Sequence, residues 1–501
     1  MTIVNSIATW FIKKRMHQIE LFIKYPHDVQ DELFGNLISQ AQDTEWGKKY
    51  GFESIRNQEE FKNRIPIQDY DSLKPYIERM LEGEQNILWG SEIKWFAKSS
   101  GTTSDRSKFI PVSQESLEEC HYKGGKDMLS IYCNNRPNAQ IFSGKALTLG
   151  GSHQVTQSGD ISFGDLSAVL LKNLPIWAEY MRTPELAITL LENYEEKIER
   201  IAHATKEVNV TNMAGVPTWT VVLAKRLMEI TGKDNLLEIW PNLELYVHGA
   251  VNFRPYREQF KKLIPSDSMY YLETYNASEG FFGIQDQSNS EEMLLMLDYG
   301  IFYEFLPMEN FGEENPKTLG LHEVELNKNY ALIISTNGGL WRYTIGDTIK
   351  FTSLSPYRIQ ITGRTKHFIN AFGEEVIVDN AEKALTKACA ETGAIIRDYT
   401  ACPIYFRGND AGGHEWIIEF ENQPKDIEQF TDILDDTLRE INSDYDAKRF
   451  KDLALARPTL HVAPEGTFYN WLKQKGKLGG QHKVPRLANE RKYVEEILGM
   501  M

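Results

Sequence analysis

FAKSSGTTSDRSKFIPVS, residues Phe96 to Ser113, gathers Ser99, Ser100, Thr102 and Thr103 around Gly101. A cation, Lys108, comes five residues after Thr103, and Phe109-Ile110-Pro111 closes the polar run. Small hydroxylated residues, a glycine and a nearby lysine are what a backbone needs to wrap a phosphate. Two familiar phosphate loops are nevertheless excluded. Counted from Gly101, the second glycine of a Walker loop falls on Arg106 and its lysine on Ser107, and the dinucleotide fingerprint lacks its further glycines. Taken alone, the run also reads as a Ser/Thr surface turn. Its flanks point further, because IKWFAK enters and FIPVS leaves as strands would, so the loop could present N–H groups and hydroxyls to a polyphosphate.

The chain around this loop has 501 residues, enough for two or three domains. Its hydrophobic and charged fractions, 41% and 25%, are those of a globular protein. The formal charge of −16 argues against nonspecific nucleic-acid binding as the main activity. Cys120, Cys133, Cys389 and Cys402 form no CxxC and no zinc spacing, which suits reduced thiols in a cytoplasmic protein. The N-terminal MTIVNSIATWFIKKRMHQIELF is too short for a span and has its charges on the wrong side for a secretory signal. Trp10, Phe11, Ile19 and Phe22 fit an amphipathic helix there, and neither a membrane nor a nucleic-acid partner is expected.

The first ~90 residues read mainly as helices, including His27 to Gln42, with Pro66 and Pro75 punctuating a polar connection. Pro184 to Thr205 has helical spacing throughout, with Asn193 to Arg200 as its charged face. LELYVHGAV (243–251), SMYYLETY (268–275) and YALIIST (330–336) are short β-rich runs. Helices alternating with such runs indicate an α/β body. Beyond residue ~370 the expected order is helix 379–392, strands 400–406 and 414–420, helix 426–441 and strand 458–462, a small α+β unit.

Two further stretches carry chemistry. In Tyr275-Asn276-Ala277-Ser278-Glu279-Gly280 an aromatic, a hydroxyl and a carboxylate lie within five residues, suited to a base, a phosphate and Mg2+. A strand-end turn that Gly280 permits is the simpler alternative. In Trp341-Arg342-Tyr343-Thr344-Ile345-Gly346-Asp347 the final carboxylate is placed to grip two ribose hydroxyls, or to sit in a hairpin turn.

In this order SSGTT…K, YNASEG and YTIGD resemble the three nucleotide-binding motifs of the auxin-responsive acyl-acid amido synthetase family, within the acyl-adenylate-forming superfamily. The likeness extends through FKNRIPIQDYDSLKPYIERMLEGEQNILW, ITGRTKHFIN and HVAPEGTFYNWLKQKGKLGGQHKVPR, and so covers nearly the whole chain. It implies a large N-terminal α/β adenylation domain over residues 1–370, with β-sheets and flanking helices, and a mobile α+β lid over 371–501. It also implies that ATP, with Mg2+, converts a carboxylic acid to an acyl adenylate that an amine, usually an amino acid, opens to an amide. Transfer to a thiol such as coenzyme A, and nucleotide binding without turnover, are the alternatives.

Carried onto this sequence, Ser99, Ser100, Thr102, Thr103 and Lys108 match the phosphate loop. Tyr275, Ser278 and Glu279 match the second motif, where the aromatic lies by adenine and the Glu by metal and phosphate, and Asp347 matches the ribose carboxylate. Arg364 matches the arginine at the domain junction and Lys483 the lysine that swings into the adenylation site. Lys473 to Lys492 holds seven basic residues and one acid, a cationic segment that could dock on ATP. Two departures stand out: Asp105 and Ser107 in the first loop, and Glu374-Glu375 where plant members carry an interdomain Asp-Lys. For the acid, Met213, Val216, Pro217 and His248 are the candidates, near Trp219, Thr220 and Tyr246.

Overall fold

In a computed structural model of the chain, the runs read as strands join one large mixed sheet. The described residues are all but 1–2, 100–107, 151–154, 192, 250–252, 254–255, 289, 366–367, 370–373, 375, 405–411, 443–444, 447–448, 450–454, 478–483 and 489–490. Of residues 3, 4, 99, 176, 177, 194, 218 and 368 the backbone alone is described. Two compact units result, Met1–Ala250 with Ser266–Gln360, and Val251–Pro265 with Ile361–Met501. The single cut expected after residue 370 makes no provision for a piece from the middle of the chain packing with its C-terminal part.

In the first unit the strands are β1 (Trp95–Ser99), β2 (Lys108–Val112), β3 (Lys145–Thr148), β4 (Thr156–Ser158), β5 (Ile161–Gly164), β6 (Arg182–Thr183), β7 (Val210–Ala214), β8 (Leu245–Gly249) and β9 (Tyr270–Ala277). They continue with β10 (Gly280–Ile284), β11 (Met293–Leu295), β12 (Ile301–Pro307), β13 (Asn329–Thr336) and β14 (Tyr343–Leu354), and β15 (Tyr357–Arg364) begins in this unit and ends in the second. A small sheet has the order β2-β1-β5-β4, and the large one runs β12-β13-β14-β15-β11-β10-β9-β8-β7-β3-β6. From β9 to β6 neighbouring strands are parallel. On the other side of β9, the pairs with β10 and beyond are antiparallel where their register is known. β12 and β13 are buried on nearly every residue, which explains why IFYEFLP and YALIIST read as almost unbroken apolar runs.

Local chemistry overrode several readings. Pro184 to Thr205 is two helices, Leu186–Thr189 and Tyr194–Thr205, because Asn193 caps the second by accepting the Glu196 N–H. The polar connection around Pro75 is a helix, Tyr70–Leu81, opened by a capping box between Asp69 and Ser72 and fixed by buried Leu73, Ile77 and Met80. In the N-terminal segment, α1 (Ile3–Lys13) and α2 (Met16–Lys24) bury Ile19 and Phe22 but leave Trp10 and Phe11 exposed, so these four do not share one buried face.

In the second unit, strands Ile395–Ile404 and Gly413–Asn422 pair antiparallel, and Thr459–Ala463 adds in parallel. Period-two alternation divides its core. Trp416 and Ile418 face the helices Val378–Thr392 and Ile427–Ile441, and Ile417 packs with Phe468, Trp471 and Ile497. Asp426, read as helical, is the cap of the second helix rather than part of it. No helix among the described residues is long and apolar enough to cross a membrane.

Candidate active site

Parallel strands end on one edge, and in such sheets ligands gather beyond the carboxyl ends. Here that edge collects the ends of β3, β7, β8 and β9. Leu149 N–H bonds the Ala214 carbonyl at 2.9 Å, and Gly215 N–H bonds Val247 at 3.1 Å. The Thr274 hydroxyl donates to the His248 carbonyl at 3.3 Å. Val216 then caps the helix Pro217–Thr231, with Pro217 in its first turn. The Tyr246 hydroxyl ties this corner by donating to the Gly215 carbonyl at 2.9 Å and lies 3.2 Å from the Thr220 hydroxyl. Met213 and His248 are buried within β7 and β8, so the four residues singled out for the acid share one edge with Tyr275.

Tyr275 lies near the end of β9, and its hydroxyl donates to Asp347 Oδ2 at 2.8 Å. The sheet order places β10, β11 and β15 between β9 and β14. Four flat spacings of ~4.8 Å would hold the two strands about 19 Å apart. The hydrogen bond therefore requires the antiparallel half to curl, bringing the second and third motifs together. Phe282 supports the tyrosine, ring centroids 4.8 Å apart.

Asp347 is not in a hairpin turn. Ala331 pairs with Thr348 and Ile333 with Thr344, so Ile345, Gly346 and Asp347 bulge opposite Leu332. The bulge turns on Gly346 at φ 93°, a conformation that side-chain-bearing residues rarely adopt. In the second motif the turn is Ser278–Glu279, between paired Ala277 and Gly280. Gly280 has no positive φ; a Cβ there would press on the tip of Ile301, Cδ1 at 2.6 Å, and on the Phe282 ring at 3.0 Å, so either side chain would have to shift. Ser278 is buried and its hydroxyl has no partner among the described residues, the condition of a group that a ligand completes. Glu279 is half-buried beside it.

The first motif is approached from its flanks. Ser99 pairs with Lys108, so β1 and β2 close directly on residues 100–107. Ser100, Thr102 and Thr103, with Asp105 and Ser107, lie outside the described residues, as does the Ser99 side chain. Lys108 Nζ stands 5.6 Å from the Tyr70 ring centroid, and the Tyr70 hydroxyl accepts the Phe109 N–H at 2.9 Å. Two residues before Tyr70, Gln68 N–H bonds the Arg342 carbonyl and the Gln68 carbonyl accepts from Thr344. One short segment thus ties the exit of the first motif to the entry of the third.

That entry is held by a residue the motif reading passed over. Arg342 is buried at φ 44° and pairs bidentately with buried Glu304 of β12, with Thr318 bonded to both. Its remaining nitrogen donates to the Lys62 and Ile65 carbonyls. Arg342 is visible in the sequence, but nothing there pairs it with Glu304. Lys197 is a second omission. It is buried in the helix Tyr194–Thr205, its ammonium donating to the Gly150 carbonyl at 2.9 Å, and burial pushes its pKa down to about 8 beside Asp165.

In the second unit Arg364 ends β15, and Lys483 lies outside the described residues. The basic segment around Lys483 is less free than its net charge suggests. Arg486 is paired with Asp398, Arg491 with Glu415, and Lys475 with Glu496. Glu374 is fully buried, 2.9 Å from His414 Nε2, and Glu375 is outside the described residues.

A large α/β unit that carries the three motifs, with a separate α+β unit, is the architecture that the resemblance to acyl-adenylate-forming enzymes implies. The chain belongs to the GH3 family: the family's N-terminal domain matches residues 15–269, its central domain 294–364 and its C-terminal domain 379–492. It is 23% identical over 557 residues to indole-3-acetic acid-amido synthetase GH3.3 of Arabidopsis thaliana, covering 95% of this chain and 92% of that protein. To jasmonoyl-L-amino acid synthetase JAR4 of Nicotiana attenuata it is 24% identical over 553 residues, covering 94% and 92%. A solved structure of the GH3.15 acyl acid amido synthetase matches with a TM-score of 0.77 at 16% identity, over 94% of this chain and 93% of that one.

Proposed function

We propose that this protein is an ATP-dependent acyl-acid amido synthetase that activates a carboxylic acid as its adenylate and transfers the acyl group to an amine, an amino acid by class. The observation that carries this reading is the Tyr275–Asp347 hydrogen bond, which unites two nucleotide motifs where the parallel strands end. The adenine lies by Tyr275 and the ribose hydroxyls on Asp347. The phosphates lie against the loop 99–108 and Ser278. Glu279 is a single carboxylate at a tight turn, which fits Mg2+, an ion that takes one or two carboxylates and draws its other ligands from phosphates and water.

The acid's carboxylate attacks the α-phosphorus and pyrophosphate leaves with the bonding pair. Both partners are anions, so cations must offset the repulsion; Lys108 supplies one and Lys483, delivered by a lid formed from the C-terminal unit, another. Arg364 adds charge at the domain junction. The amine then attacks the acyl carbon, AMP departs and the nitrogen loses its proton. No acyl-enzyme is needed, and the cysteines are poor carriers. Burial pushes the thiols of Cys120, Cys133, Cys389 and Cys402 up to about 12. All four are free, which suits the reducing cytoplasm.

Hydroxylamine trapping with ATP, Mg2+ and a panel of aryl, indolyl and fatty acids tests the first half-reaction. Acid-dependent pyrophosphate release with hydroxamate formation is expected, and AMP release should respond to amino acids but not to coenzyme A. A thiol requirement would replace the amide assignment with a thioester one. Asp347→Ala should fold and lose ATP affinity by about tenfold or more, the scale of a charge-assisted hydrogen-bonding carboxylate. Unchanged affinity would remove Asp347 from the ribose site.

A further inference from the structure

Five of the eleven exposed large apolar side chains among the described residues, Ile7, Trp10, Phe11, Leu21 and Tyr25, fall in the first twenty-five positions, so the exposure is concentrated. On α1, Ile7, Trp10 and Phe11 stand at i, i+3 and i+4 and form one stripe. The opposite stripe is already occupied. Ile12 is buried, and Asn5 is buried where its side chain bonds the Ala139 carbonyl and the Phe142 N–H. α2 repeats the pattern, with Leu21, Lys24 and Tyr25 outward and Ile19 and Phe22 inward. One buried face is enough to seat a surface helix; α1 carries an exposed apolar stripe in addition to it.

Cations accompany the outer face. Lys14 Nζ lies 3.7 Å from the Trp10 ring centroid and 5.9 Å from that of Phe11, and Lys24 lies 5.1 Å from Tyr25. Residues 1–25 hold Lys13, Lys14, Arg15 and Lys24 against Glu20, a formal +3 in a chain of −16. Arg15 is spent on Asp127 at 2.6 Å, Glu20 sits 3.7 Å from His17, and Lys13 is half-buried with its charge acting on buried Cys133, which leaves Lys14 and Lys24 as the cations of this face. Aromatic rings with lysines alongside, on a short helix, are what a lipid headgroup layer accepts. Within a Debye length of ~8 Å the local charge rather than the distant −16 decides attraction.

We propose that the outer face of α1 and α2 docks on an anionic phospholipid bilayer, with Ile7, Trp10 and Phe11 entering the headgroup region and Lys14 and Lys24 meeting lipid phosphates. A two-fold pairing of this face with a second copy would set lysines against lysines, so the charge favours the lipid. The expectation of no membrane partner rests on the want of an apolar run long enough to span; surface docking requires none.

The full chain is sedimented with phosphatidylcholine vesicles, with and without phosphatidylglycerol, across a salt series. It should pellet with the anionic vesicles at low salt, be released as salt rises and stay in solution with phosphatidylcholine alone. The double variants Trp10→Ser/Phe11→Ser and Lys14→Glu/Lys24→Glu should each lower the partition coefficient by about tenfold or more, as loss of interfacial aromatic or basic contacts does. Both should keep the parent's thermal midpoint and ATP-dependent pyrophosphate release. No pelleting of the parent, equal pelleting of the serine variant or equal binding to phosphatidylcholine would each overturn the proposal. So would a concentration-dependent dimer that the serine variant abolishes, because the face would then belong to a second copy.

Discussion

The parallel half of the large sheet and its antiparallel half both contribute to one site, but they reach it by opposite means. In the parallel half the crossovers bring the ends of β3, β7, β8 and β9 to a common edge, so Met213, Val216, Pro217 and His248 arrive there by topology. In the antiparallel half, Asp347 meets Tyr275 only because the sheet curls and β14 bulges at Gly346. A buried ion pair also anchors the start of that strand. The first arrangement is robust to individual side chains. The second depends on a few contacts, and replacing them should have large effects.

The largest effect is expected at Glu304. Removing one partner of a buried pair strands the other charge, so Glu304→Ala should lose about 3–5 kcal/mol of stability in urea unfolding. Because Arg342 also carries the Gln68 link toward Lys108, folded Glu304→Ala should bind ATP more weakly. A loss below about 1 kcal/mol would mean that the curl, not the pair, holds the antiparallel half.

On the parallel side the sharpest probe is Lys197, whose ammonium props Gly150 at the end of β3. Its folded pKa, about 8, lies below the ~10.4 of an unfolded lysine. Below pH 8 both states are protonated and the burial penalty is fully present. Between about 8 and 10 the folded state loses its proton first, so stability rises with pH, by roughly 2–3 kcal/mol. Lys197→Met should abolish that rise in a pH series of unfolding midpoints, and an unchanged rise would place its origin elsewhere.

The smallest effect tests the seam itself. Tyr275→Phe keeps the ring against Phe282 and removes one hydrogen bond to Asp347, so ATP binding should weaken by about 0.5–1.5 kcal/mol, with the acid's KM unchanged. A shift in acid KM equal to that in ATP would show that the two halves are more tightly coupled at this point than their separate supports suggest.

Much of the local structure was legible because it is written in short-range chemistry. The helix Ile427–Ile441, the strands Gly413–Asn422 and Asn329–Thr336, and the β1–β2 pair around the first motif follow from periodicity and turn residues. The break at Asn193 and the helix through Pro75 were missed because capping side chains, Asn193 and Asp69, decide them against the apolar rhythm. The motif residues stood out, but their supports did not. Gln68 and Tyr70 sit in an unremarkable polar stretch, and the buried role of Lys197 depends on a carbonyl 47 positions away.

The α/β class, the family likeness and the residue types that address a nucleotide are readable along the chain, because these rest on local pattern and motif order. That Tyr275 touches Asp347 and Arg342 answers Glu304 is seen in the folded molecule and not along the chain. It alone shows that Arg486 and Arg491 are already paired, and that Trp10 and Phe11 face solvent. Each of these joins residues distant in the chain, or depends on which side of a helix a neighbour covers. Such facts are fixed by sheet curvature and packing rather than by spacing along the chain.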